Sequence, residues 1–206
     1  EAEANTLFTE RRNNRFLPDS PFPECLTVTN QPETALKSSD LVVVAVPSDR
    51  LRENVRQITS HLRPRTIVLS ATKGLELPGA QRMSQVLADE LPSELHPSIC
   101  VLSGPNLAKE IVQGNPASTV IACQNAEPAQ QVRDALMSAS FRVYTSVDVL
   151  GVELAGALKN VVALGAGIGD GMDAGENAKA SFITRGLAEI TRLGIAAGAD
   201  PLTFAG

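Results

Sequence analysis

The stretch LVVVAVPSDRLRENVRQITSHLRPRTIVLSATKG, residues 41–74, decides the fold. It opens with an apolar, largely β-branched run at 41–46, which is typical of a strand buried on both faces. Residues 49–62 then carry apolar side chains three and four positions apart, which predicts a helix. TIVLSA at 66–71 predicts a second buried strand. Strand, helix and strand in this order predict one unit of a parallel sheet.

The same alternation continues along the chain. It predicts an α/β fold with a doubly wound open sheet, which binds ligands beyond the carboxyl ends of its strands. Further strands are predicted at 99–104, 118–123 and 141–146, and further helices at 79–91, 106–112 and 127–139.

The pattern changes near Asp148, where the strand signals stop. Residues 148–171 and 177–198 predict two long helices rich in alanine and glycine, and Pro201 opens another. We therefore expect residues 1–147 to form a nucleotide-binding type of domain and 148–206 to begin an all-α domain.

Composition and charge exclude several classes of protein. A net charge of -5, with no basic stripe, argues against nucleic acid as a partner. No continuous apolar run approaches the roughly 20 residues of a membrane helix, so we expect no membrane span. Three cysteines (Cys25, Cys100 and Cys123) without metal-ligand spacing indicate reduced thiols in apolar surroundings in a cytosolic protein, and no metal site. His61 and His96 lie in loop-like contexts, so neither is expected to be catalytic.

A candidate functional helix is GVELAGALKN, residues 151–160. Gly151, Ala155 and Lys159 fall four residues apart on one face, and such small side chains leave room beside the lysine for a ring or a small substrate. The alternative is a helix-packing seam with a solvated lysine. GAGIGDG at 165–171 follows a helix rather than a strand, so it is not interpreted as a phosphate-binding loop.

Two strand ends supply further candidates. Lys73 and Gly74 follow the second strand, and SGPN brings Gly104 and Asn106 just past the third. A glycine permits close backbone approach, Asn106 is expected to cap the next helix, and a helix start favours an anion. The alternatives are a loop lysine and an ordinary strand-to-helix turn.

Together these segments resemble a known family. VVVAVPS, LSATKGLE, LSGPNLAKE and GVELAGALKNVVALGAGIGDGM, followed by ENAKASFITRGLAE, are similar to bacterial-type NAD(P)-dependent glycerol-3-phosphate dehydrogenase. RRNNRFLPDSPFP also resembles the family's Asn-x-x-Tyr-Leu-Pro segment, with Phe16 in the tyrosine position. The resemblance implies a Rossmann-type sheet lacking its first strands and glycine-rich turn. It also implies that the later helical segment, whose Asp and Ser-Arg-Asn hold the substrate phosphate, is missing, so the fragment itself is expected to be weak or inactive.

The resemblance also implies roles for individual residues. Lys159 would be the proton acceptor, and Lys73 and Gly104 would bind glycerol phosphate. Asn106 stands where the family more often has Ser or Thr and would contact substrate, and Asn160 would orient it.

On the cofactor side, the resemblance implies NAD or NADP. Ala108 and Lys73 would contact it, and Pro47 and Ser48 would lie near the dinucleotide. The reaction implied interconverts sn-glycerol 3-phosphate and dihydroxyacetone phosphate in the cytoplasm, for phospholipid synthesis, and the Gly/Ala-rich helices make a homodimer a candidate assembly.

Two other interpretations remain open. A β-hydroxyacid dehydrogenase also carries a lysine on the helix after its nucleotide domain, although there the asparagine follows a few residues later. A non-catalytic α/β binding module would leave the lysines as surface charges. The enzyme interpretation fails if Lys73 and Lys159 lie on opposite faces of the molecule.

Overall fold

A computed structural model describes residues 2–205. The helices, in chain order, are α1 (Ala2–Glu10), α2 (Pro32–Leu36), α3 (Leu51–Ile58), α4 (Met83–Glu90), α5 (Ala108–Val112), α6 (Ala126–Leu136), α7 (Val149–Gly171) and α8 (Glu176–Ala196). The strands are β1 (Arg12–Asn13), β2 (Leu17–Pro21), β3 (Leu41–Val44), β4 (Ile67–Ser70), β5 (Leu75–Glu76), β6 (Gln81–Arg82), β7 (Ile99–Ser103), β8 (Ala117–Ala122) and β9 (Phe141–Ser146). Short 3-10 helices cover Ser48–Arg50, Thr59–His61, Ser93–Ser98 and Pro201–Phe204.

The main sheet has five strands in the order β3-β4-β7-β8-β9. Strands β3, β4 and β7 run parallel, as do β8 and β9, but β8 runs antiparallel to β7. The predicted α/β class is confirmed, but the sheet is mixed rather than wholly parallel because β8 is reversed. The connection from β7 to β8 contains only the five-residue helix α5, and not the longer crossover helix that usually joins parallel strands.

Burial on both faces explains why the strands are so apolar. All four residues of β4 are buried. Its Val68 joins the core formed with α3 and α4, and the next residue, Leu69, joins the core formed with α6 on the other face. Cys100 and Cys123 belong to this second core, whereas Cys25 is exposed, so the expectation of apolar surroundings is wrong for that cysteine.

Short strands account for one failed prediction and for one hairpin that was not predicted. Residues 79–82 are not helical, because β6 pairs with β5 in a small hairpin and α4 begins only at Met83. Near the start of the chain, β1 and β2 form another hairpin that lacks apolar alternation and so gave no strand signal.

The helical region begins after β9 with α7 and α8, which pack against each other. Among residues 2–205, α7 alone is long and apolar enough to cross a membrane by length and composition, with a mean hydropathy of 1.5 over 18 residues. The expectation of no membrane span therefore stays a prediction, since mean hydropathy also counts helix stretches interrupted by Gly, Glu and Lys. This is weak evidence for a span, because α7 packs on β7 and its Glu153 forms an ion pair with Arg82.

Candidate active site

Two lysines from different regions of the chain meet at one backbone carbonyl. Lys73 Nζ donates to Gly104 O at 2.7 Å, and Lys159 Nζ lies 3.3 Å from the same oxygen. Both side chains are partly buried. The two lysines therefore share one face of the molecule, and the condition that would have excluded an enzyme interpretation is not met.

The sheet brings two of these three residues together. Lys73 follows β4 and Gly104 follows β7, and these neighbouring strands run parallel, so their carboxyl ends meet at one edge. Helix α7 crosses this edge at Gly156, where a Cβ atom would lie 2.5 Å from Ser103 Oγ and 3.9 Å from Lys73 Cγ. The missing side chain lets α7 approach closely enough for Lys159 to reach the same carbonyl.

Gly104 is small for a structural reason. A Cβ atom there would lie 2.8 Å from Ser118 O and 2.9 Å from Thr119 Cα, both backbone atoms on β8. The sequence suggests close backbone approach at this glycine, and the neighbouring strand already requires it. Its carbonyl also accepts the backbone N–H of Asn106 at 3.0 Å, so three donors converge on one oxygen.

The electrostatics of the pair favour a negatively charged ligand. Burial lowers the pKa of the Lys73 ammonium below its ordinary value, and the nearby charge of Lys159 lowers it further. Each ammonium has three donors, and only one of them is directed at Gly104 O. The remaining donors are available for oxygen atoms of a bound anion or carbonyl compound.

Asn106 adds an unused acceptor beside the lysines. It does not cap α5 as expected, because Leu107 occupies the capping position and makes no side-chain capping bond. Instead its amide nitrogen donates to Thr119 Oγ1 at 3.1 Å, which holds the side chain against β8. Asn106 Oδ1 is buried without a hydrogen-bond partner and can accept from a ligand hydroxyl or amide.

A cavity of about 280 Å³ opens beside Lys159. Residues of α8 and the final 3-10 helix form its outer wall. The sequence did not predict this, because apolar residues on a helix give no sign of which cavity they line. A second cavity, of about 560 Å³, lies toward β9 and shares Val120, Val152 and Thr203 with the first but contains neither lysine. The smaller cavity is lined by Ser103, Gly104, Pro105, Val120, Val152, Ala155, Gly156, Lys159, Leu187, Ile190, Thr203 and Phe204.

The remaining predicted residues divide into two groups. Ser48 lies at the same sheet edge as the lysines, since a Cβ atom on Gly74 would lie 3.0 Å from Ser48 Oγ. Gly74 also has a φ of +134°, which favours glycine. Pro47 is exposed directly before Ser48. Lys73, Asn106, Ala108 and Asn160 do not line the cavity beside Lys159, and the last two are exposed.

One polar cluster near the site was not predicted. Glu153 of α7 contacts Arg82 and Ser84 at the start of α4. The available signal was a single carboxylate within the otherwise uncharged stretch 149–158 of a helix. Within residues 2–205, no group of three or more His, Cys, Asp or Glu side chains is arranged to hold a metal ion.

Comparison with known proteins identifies what this chain resembles as a whole. The family model for the NAD-dependent glycerol-3-phosphate dehydrogenase N-terminus matches residues 1–129, and the model for the C-terminus matches residues 148–206. Glycerol-3-phosphate dehydrogenase [NAD(P)+] of Dehalococcoides mccartyi is 51% identical over 207 residues, covering 100% of this chain and 58% of the relative. The enzyme of that name from Streptomyces griseus is 46% identical, covering 98% of this chain and 60% of the relative.

The structural comparison agrees. The crystal structure of glycerol-3-phosphate dehydrogenase from Coxiella burnetii matches with a TM-score of 0.92 and 33% sequence identity. The match covers 100% of this chain and 62% of that protein. The chain thus spans less than two thirds of the length of these relatives.

Proposed function

This chain belongs to the NAD-dependent glycerol-3-phosphate dehydrogenase family, and on that premise we propose that the whole protein interconverts sn-glycerol 3-phosphate and dihydroxyacetone phosphate with NAD or NADP. The observation that carries the proposal is the convergence of Lys73 and Lys159 on Gly104 O. One lysine comes from the sheet and the other from the helical region, so the site exists only where the two regions meet.

Lys159 is the proposed acid and base. In the reducing direction its ammonium donates a proton to the C2 oxygen of the substrate, and in the oxidising direction its amine accepts the hydroxyl proton. The cavity beside it is large enough for a three-carbon phosphate ester. The nicotinamide cofactor, when bound, supplies or accepts the hydride at C2.

Lys73 is the proposed electrostatic partner. Its ammonium polarises the substrate carbonyl and stabilises the negative charge that develops on that oxygen. Its nearness to Lys159 also disfavours two full positive charges in the free site, which assists proton release from the pair. Asn106 Oδ1 is the proposed acceptor for a substrate hydroxyl, since it is buried and has no other partner.

The residues at the carboxyl ends of β3 and β4 fit a dinucleotide cofactor. Gly74 leaves a cradle beside Ser48 that a Cβ atom would fill. Ser48 and Pro47 would hold the cofactor there, with Lys73 at its substrate end. Contacts from Ala108 and Asn160 remain proposals that rest on the family resemblance alone.

The wider biological setting follows from the same premise. We place the domain boundary between residues 147 and 148, where β9 has ended and α7 begins. The cytoplasm, supply of glycerol phosphate for phospholipid synthesis and assembly as a homodimer are proposed from the family resemblance.

A substrate panel on the whole protein tests the proposal. Dihydroxyacetone phosphate should drive oxidation of NADH or NADPH, followed by cofactor absorbance, while ketone products of β-hydroxyacid dehydrogenases should not. Comparing the two cofactors in the same assay establishes the preference between them. Activity with those ketones and none with dihydroxyacetone phosphate would overturn the assignment.

A further inference from the structure

A buried carboxylate joins the helix that carries Lys159 to the sheet region. The side chain of Glu153 on α7 is only 7% exposed. Its Oε2 accepts from Arg82 Nη1 at 2.6 Å and from Ser84 Oγ at 2.6 Å, and its Oε1 accepts from the Ser84 backbone N–H at 2.7 Å. One carboxylate therefore uses both oxygens on three donors at the start of α4.

These hydrogen bonds fix the orientation of α7 as well as holding it in place. Charge-assisted hydrogen bonds are short and directional, and a backbone N–H in the first turn of a helix cannot move independently of that helix. Glu153 consequently fixes α7 both along its axis and in rotation relative to α4. Arg82 Nη1 also donates to Ser84 Oγ at 3.0 Å, so the donors support each other.

Val152 of α7 packs with Val101 of β7 and Ala122 of β8, but the contact nearest to Lys159 carries no side chain. Gly156 meets β7 at Ser103 without a side chain of its own. A contact through glycine permits close approach but does not interlock, so it tolerates sliding and rotation better than a packed side chain would. The oriented polar contact at Glu153 supplies the restraint that Gly156 lacks.

Lys159 lies six residues further along the same helix. That separation corresponds to roughly 9 Å along the axis, with Gly156 midway between the two side chains. Because an α-helix transmits displacement as a rigid rod over this length, a shift of α7 at Glu153 moves Lys159 relative to Lys73 and Gly104, which belong to the sheet.

We propose that Glu153 is a positioning residue that sets the distance between Lys159 and Lys73 by clamping α7 to the start of α4. The catalytic consequence rests on the function proposed above, but the geometric claim does not. The two parts can therefore be tested separately.

The geometric test uses competitive amine labelling of the whole protein with acetic anhydride. Mass spectrometry measures the labelling of each lysine across a pH series. In Glu153→Gln, Lys159 should move away from Lys73, and Lys73 should become better hydrated. Its pKa should rise toward the ordinary value of about 10.4, and its labelling near neutral pH should slow several-fold. Unchanged labelling of Lys73 in a folded Glu153→Gln protein would overturn the proposal.

A matched control lies on the same helix. Asp170 of α7 forms an exposed ion pair with Lys179 at 2.8 Å, and Asp170→Asn makes the same carboxylate-to-amide change far from the site. It should leave Lys73 labelling unchanged. If circular dichroism shows that Glu153→Gln does not fold, Ser84→Ala removes one donor only, and it should slow Lys73 labelling in the same direction. No change in folded Ser84→Ala would then count against the clamp.

The catalytic test uses the whole enzyme and a reduced cofactor deuterated at the transferred position. Glu153→Gln should lower kcat by about 10-fold to 100-fold without changing the cofactor KM, because the reacting groups are misplaced while the cofactor site is intact. The deuterium isotope effect on kcat should rise as hydride transfer becomes limiting, and Glu153→Asp should recover part of the loss.

The outcomes separate the two ideas. If Lys73 labelling slows in Glu153→Gln but the wild-type protein does not reduce dihydroxyacetone phosphate, the clamp is supported and the proposed function is rejected. Normal labelling with normal activity on that substrate rejects the clamp and leaves the function standing.

Discussion

The sheet region and the long helices differ in how far their apolar side chains are exposed. In the sheet, Val68 and Leu69 of β4 are completely buried, one on each face. On α7, Leu164 and Ile168 are 68% and 56% exposed. The sheet thus carries its own core, which makes Lys73 and Gly104 rigid reference points. Lys159 stands on a helix that is largely exposed beyond this residue, so we expect its place to depend on individual side chains.

The largest expected effect contrasts the two regions directly. Leu69→Ala should destabilise the chain by about 3 kcal/mol, because it empties space in a closed core. Leu164→Ala should cost less than about 0.5 kcal/mol, since that side chain is mostly exposed. Urea unfolding of both variants measures the difference. Similar losses for the two leucines would mean that the helical region is packed as tightly as the sheet.

Substituting two glycines by alanine should change the free energy of unfolding by a smaller amount, with opposite signs at the two positions. Gly104→Ala forces a methyl group against the backbone of β8 and should cost about 2 kcal/mol. A Cβ atom on Gly167 of α7 would meet no atom within 4 Å, so Gly167→Ala should stabilise the chain by up to about 1 kcal/mol. Thermal and urea unfolding check both signs. An equal change in the free energy of unfolding at the two positions would contradict the claim that β8 requires a glycine at position 104.

The smallest effect concerns pH. The folded state lowers the pKa of Lys73, so the unfolded chain binds more protons between that lowered pKa and the ordinary value of about 10.4. The contribution of Lys73 to the free energy of unfolding should therefore rise with pH across this window. Relative to Lys73→Met, the wild-type chain should gain stability as the pH rises from the lowered pKa toward about pH 10. A difference that stays flat or falls would contradict the lowered pKa.

Much of the fold could be predicted because its signals are local. A β-branched run with no polar interruption has few alternatives to a buried strand, and a glycine- and alanine-rich stretch after the last strand marks the helical region. The direction of β8 could not be predicted this way. The direction of β8 depends on how the connection through the short helix α5 crosses the assembled sheet, and a local pattern does not show that.

The site was predictable in part for the same reason. Lys73 and Gly104 follow neighbouring parallel strands, and such ends meet at one edge. The place of Lys159 needed the family resemblance, because helix periodicity does not specify which surface the helix packs against. Glu153 was missed because its partners, Arg82 and Ser84, lie about seventy residues earlier and are ordinary surface residue types.

The most direct test of the two-lysine site is the kinetics of Lys159→Ala and Lys73→Ala in the whole enzyme, with dihydroxyacetone phosphate as substrate. Lys159→Ala should lower turnover by about 100-fold to 10,000-fold while the cofactor still binds, because the proton donor is lost. Lys73→Ala should raise the substrate KM and also lower turnover, by a smaller factor than Lys159→Ala, because Lys73 both binds the substrate and stabilises the developing charge. Near-normal turnover in Lys159→Ala would contradict the assignment of this lysine as the acid and base.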